Sequence, residues 1–112
     1  MHIIRENGYD IAFLSTFDDR RRYETTCKGY LFDLYVIIEK KSYNIIFYDK
    51  MRLEQDIDAE NEQYGYGFFY SKNIVVVKEI TYDEIVKAIN HLIKIDFFST
   101  LKEDKLEIDL DG

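Results

Sequence analysis

At 112 residues the chain is the size of one domain, and its 22 acidic against 15 basic side chains leave a formal charge of −7. That balance opposes nucleic-acid binding, which needs clustered Lys and Arg against phosphate, and favours a basic partner. No apolar run approaches the roughly 20 residues of a membrane-spanning helix, and a single cysteine, Cys27, excludes an intramolecular disulfide or a multi-cysteine zinc site.

Residues 1–7 lack the basic start, apolar stretch and cleavage site of a secretory signal, so the expected location is cytoplasmic. Proline is absent, and no repeat or linker composition divides the chain. One domain spanning residues 1–112 is expected, held by packing alone. Residues 9–16 suit either a helix or a strand, and a strand is the reading preferred. Arg20, Arg21 and Arg22 form the single basic cluster, but acids flank them on both sides, and a salt-bridged turn is expected there, with a small anion site as the alternative.

Residues 30–39 alternate, with Phe32, Leu34, Val36 and Ile38 on one face and Asp33, Tyr35 and Glu39 on the other. Residues 43–49 are β-branched and aromatic, so the two runs read as an antiparallel hairpin. The turn between them has no glycine, which predicts a loop longer than two residues. Residues 74–80 form a third strand, preceded by a turn at 71–73 and a short strand at 68–70. Thr81 then caps a helix, with Glu84 completing a T-x-x-E box. Along that helix Ile85, Val86, Ile89, Leu92 and Ile93 recur at helical spacing. The tail alternates Leu106, Ile108 and Leu110 with acids, as a short edge strand would. The expected fold is α+β, a mainly antiparallel sheet with one clear amphipathic helix on one face.

The most unusual stretch is 54–62, where Glu54, Asp56, Asp58, Glu60 and Glu62 fall at every second position. Extended, they would line one side as a ladder of negative charge; otherwise they form a solvated loop. An EF-hand reading fails, because positions 6 and 12 counted from Asp56 hold Asn61 and Gly67. Residues 64–70 follow, with Tyr64 and Tyr66 among aromatics interleaved with glycines. These rings could anchor a partner, or the glycines could mark a sheet bend. Gly65 and Gly67 do not make a dinucleotide fingerprint, since Tyr70 stands where the third glycine belongs. Cys27 and His91 have no flanking nucleophile motif, and His2 and His91 are isolated. No cofactor, metal or catalytic residue is assigned, and the chain is not expected to be an enzyme.

The acidic stretch 54–62, the aromatics at 64–70 and a compact sheet with one clear helix resemble the small immunity proteins of bacterial contact-dependent and related polymorphic toxin systems. Those proteins share no single motif, so the resemblance is one of type and carries no residue roles. It implies a cognate toxin protein as partner, commonly a basic nuclease, whose active site the inhibitor covers in a one-to-one complex. The candidate partner-binding residues are Glu54, Asp56, Asp58, Glu60, Glu62, Tyr64 and Tyr66, with nucleic acid and membrane expected as neither partner nor substrate. The alternative is an adaptor or self-associating module, a homodimer joined through an exposed strand. A third reading, mimicry of DNA toward host defence proteins, uses the same acids.

Overall fold

The structure, a computed structural model, describes residues 1–65 and 72–103. Five strands, β1 (His2–Glu6), β2 (Tyr9–Phe13), β3 (Tyr30–Ile38), β4 (Lys41–Asp49) and β5 (Ile74–Val77), lie in one sheet in chain order. The first four pair antiparallel and β5 runs parallel to β4. A parallel neighbour cannot be reached by a tight turn and requires a crossover. Helix α2 (Lys50–Tyr64) lies in that connection, while α1 (Asp19–Lys28) links β2 to β3. Helix α3 (Tyr82–Lys94) and a 3-10 turn at Phe97–Thr100 follow β5. The α+β expectation stands, with two helices added to the one anticipated.

One face of the sheet carries the core. Ile11, Phe13, Leu31, Leu34, Val36, Ile45 and Phe47 point to it and are almost fully buried, packed with Ile80, Ile85, Ile89 and Phe98. Burying each such side chain stabilises the fold by roughly 1.5–3 kcal/mol, which is why α3, presenting Ile85 and Ile89 one turn apart, docks here. Its start is set as expected: the Thr81 side chain accepts from the Glu84 N–H at 3.2 Å. The reciprocal half of the box is replaced, because the Thr81 N–H donates to the Glu79 carbonyl.

The opposite face begins with the neighbours of those core residues. Tyr48 pairs across the ladder with Tyr30, as Phe47 does with Leu31, so the two tyrosines face away from α3. Helix α2 covers this end of the second face.

Several expectations need correction. In β3 the register slips between Leu31 and Leu34, so two residues, Phe32 and Asp33, oppose the single Ile46. This bulge makes Leu31 the inward residue and turns Phe32 out, to 45% exposure, away from the core face on which alternation set it. The Asn44 amide donates to the carbonyls of Phe32 and Leu34, holding the irregular stretch. The hairpin loop is also shorter than anticipated. Ile38 pairs with Lys41, leaving only Glu39 and Lys40 in the turn, at φ 51° and 67°. Positive φ at both central positions defines a type I′ turn, which these two residues adopt without glycine. Strand β5 ends at Val77 and not at residue 80. The strands expected at 68–70 and in the tail beyond 103 lie outside the described residues.

Candidate protein-binding surface

Residues 54–62 are neither extended nor loop; they form the middle of α2. The Asp49 side chain caps the helix, accepting from the Arg52 N–H at 2.8 Å. Gly65 ends it at φ 77°, its N–H donating to the Asn61 carbonyl. Gly65 is therefore a helix stop and not a sheet bend. Between the caps stand no Gly and no Pro, and Leu53 and Ile57 fall four apart toward the sheet. Those were the available helix signals, and the alternating charge concealed them.

Helical geometry divides the acids. Positions two apart are about 200° apart around a helix, whereas positions four apart nearly coincide. The single ladder is thus replaced by two stripes. Glu54, Asp58 and Glu62 share the outer stripe, and all three are exposed. Asp56 and Glu60 share a stripe turned toward the sheet, where both are partly buried.

The inner stripe is tied to the sheet through Asp56. Tyr48 Oη donates to its Oδ2 at 2.9 Å, and Arg52 Nε donates to its Oδ1 at 3.0 Å. Burial, and then the bond to Asp56, push the Tyr48 phenol up to about 12. The Arg52 guanidinium also stacks over the Tyr30 ring, 4.7 Å from its centroid. Tyr30, Phe32 and Tyr48 pack in series, with ring centroids 4.7 and 5.5 Å apart. Beside them lies a recess of about 480 Å³ lined by Phe32, Ile46, Tyr48, Asp56, Ala59 and Glu60.

Among the described residues the outer stripe makes no such tie to the sheet, and its one ion pair there, Lys50 with Glu54, is long at 4.0 Å and highly exposed, and so contributes little. No α2 residue is fully buried, and Met51 and Tyr64 are 70% and 56% exposed. Tyr66 lies outside the described residues.

The order of charge along α2 runs against helix stability. A helix is favoured by acids in its first turn and bases in its last, because its N-terminus carries partial positive charge. Helix α3 follows this rule, with Asp83 and Glu84 at its start and His91 and Lys94 at its end. Helix α1 does too, with Asp19 first and Lys28 last. In α2 the bases Lys50 and Arg52 come first and the acids Glu54, Asp56, Asp58, Glu60 and Glu62 come after, with no base in the last turn.

The arginine cluster sits on α1 and not in a turn. Arg20 pairs with Glu24 at 3.1 Å, Arg21 approaches Asp33 at 3.6 Å, and Arg22 stacks on Phe17 and Tyr82. All three are engaged within the fold. Cys27 is exposed on α1 and His91 is exposed in the last turn of α3. Among the described residues no three His, Cys, Asp or Glu side chains converge as metal ligands would. Among the same residues no helix is long and apolar enough to cross a membrane.

No family model matches the chain, and neither a curated protein nor a solved structure matches it.

Proposed function

We propose that this chain is a cytoplasmic protein-binding inhibitor of the immunity type, which neutralises a cognate basic, nuclease-like toxin by laying α2 over its active site. The observation that supports this reading is the charge order of α2. Two bases precede five acids, an arrangement that opposes the helix dipole and that the fold uses only in the Arg52–Asp56 tie, since among the described residues the outer acids make one long, exposed pair. It does concentrate negative potential at the C-terminal end of an exposed helix, where the backbone carbonyls add to it. Such a field steers a basic protein and speeds capture, while exposed apolar groups such as Met51, Tyr64 and Phe32 lengthen residence.

The test is affinity capture from lysate of the native cell across a salt series, with the captured proteins identified by mass spectrometry. A single stoichiometric basic partner whose association slows steeply with ionic strength is the expected result. Reversing Asp58 and Glu62 together should slow its capture about tenfold or more while leaving the fold intact, because exposed charges contribute little to stability. Asp56 is kept out of this variant, since its carboxylate ties α2 to the sheet. No basic partner, with the protein running as a dimer, would transfer the assignment to a self-associating module; β1, which pairs only with β2 among the described residues, offers the edge for it.

A further inference from the structure

We infer that the recess between α2 and strands β3 and β4 receives an arginine side chain from the basic partner, an inference that rests on the inhibitor reading above. Its chemistry is mixed in a specific way. Phe32, Ile46, Tyr48 and Ala59 supply apolar wall, and Asp56 and Glu60 supply two carboxylates. Asp56 is already matched by Arg52, at 3.0 Å. Glu60 has no ion-pair partner among the described residues, although it is partly buried. One uncompensated negative charge therefore remains beside an apolar wall, where water screens it less than on open surface. A single cation on an aliphatic stem complements that arrangement.

Two further observations select arginine. Phe32 owes its outward position to the β-bulge, which leaves an aromatic ring at the recess where regular alternation would have buried it. An exposed aromatic face attracts a guanidinium through both its quadrupole and planar stacking, and a compact, strongly hydrated ammonium gains less. The molecule already uses this pairing on both sides of the sheet. Arg52 lies over Tyr30 at 4.7 Å, and Arg22 lies over Phe17 and Tyr82 at 5.3 and 5.1 Å. Asp56 can also accept a further bond: a carboxylate offers about four lone-pair sites, and Tyr48 and Arg52 occupy two. Ala59, exposed and small, leaves the space open.

The experiment is a titration of the full-length chain, followed by amide chemical shifts, with acetyl-Gly-Arg-Gly-amide and with the same peptide carrying citrulline or lysine in place of arginine. Saturable shifts centred on Phe32, Ile46, Ala59 and Glu60 are expected. Citrulline, isosteric but neutral, should bind about tenfold more weakly, the equivalent of about 1.4 kcal/mol, and lysine several-fold more weakly. Ala59→Phe should fill the recess and abolish the saturable response. Glu60→Gln, nearly isosteric and without risk to packing, should weaken it several-fold while the rest of the spectrum stays unchanged. Absence of saturable shifts, shifts spread along Glu54, Asp58 and Glu62, or equal response to lysine would each overturn the assignment. The two readings fail separately. A captured basic partner that Ala59→Phe still binds at wild-type affinity would remove the recess and leave the inhibitor standing, whereas capture of no basic partner would remove the inhibitor while the peptide still decides the recess.

Discussion

Helices α2 and α3 lie on opposite faces of one sheet and are built by opposite means. Helix α3 buries Ile85 and Ile89 completely and carries its charges in the order its dipole favours. Helix α2 buries no residue fully and carries them in reverse. What holds α2 is a few ties: an aspartate cap at one end, a left-handed glycine at the other, and between them a carboxylate gripped by Arg52 of the helix and Tyr48 of β4. The core thus specifies α3. The other helix is only as stable as its caps and its ties require, and its outer side chains are left for encounter with something else.

That contrast can be broken at several points. The largest effect is expected in α3, where Ile89→Ala should cost about 3 kcal/mol in urea denaturation, against about 1 kcal/mol for Leu53→Ala on the half-buried side of α2. Equal costs would mean that α2 is as much a core helix as α3. Next comes Gly29, which ends α1 at φ 77° and whose carbonyl accepts from the Asp49 N–H at 2.8 Å. A methyl group there would stand 2.5 Å from Asp49 Oδ2, the capping carboxylate of α2. Gly29→Ala should therefore cost about 2–3 kcal/mol, the sum of a left-handed alanine and a lost cap. Hydrogen exchange should locate the loss in the first turn of α2; protection that falls only in α1 would count against the coupling.

Both helices are also tied to the sheet by a tyrosine–carboxylate bond. Tyr48 donates to Asp56 below α2, and Tyr82, the first residue of α3, donates to Glu6. Burial first, and these bonds second, raise both phenols, Tyr48 to about 12. The folded state holds these protons more tightly than the unfolded chain, whose tyrosines titrate near 10. Their stabilisation is complete below pH 10 and is lost as the pH climbs through about 12. Melting temperature should accordingly fall across that window, and Tyr48→Phe should flatten part of the fall. An unchanged slope in that variant would remove the Tyr48 bond from the account of α2. The smallest effect on folding, and the most telling, is Glu62→Lys. It places a base in the last turn of α2 and should stabilise the helix by about 0.5 kcal/mol while slowing partner capture. Stabilisation without loss of capture would leave the reversed charge order without a functional reason.

The legible parts of the chain were those written in local pattern. Hydrophobic alternation located β3, β-branched and aromatic runs located β4 and the start of β5, and Thr81 with Glu84 located α3, because strand composition and a helix cap involve only near neighbours. The same alternation misled at 54–62. Charges at every second position suit a strand, but exposed charges do not choose a backbone conformation, and Asp49, Leu53, Ile57 and Gly65 did. Residues 19–28 hid their helix for a related reason: α1 buries only Thr25, and its apolar stripe is too weak to stand out.

By itself, then, the sequence determined the α+β class, the core side of α3 and the excess of acid, all of which follow from composition and near-neighbour spacing. Tertiary structure alone decided that β5 joins β4 in parallel, that α2 crosses on the second face, and that a bulge pairing Phe32 and Asp33 against Ile46 turns an aromatic ring toward Glu60. Each of these depends on which strand finds which neighbour and in what register, a choice made by packing between residues far apart in the chain.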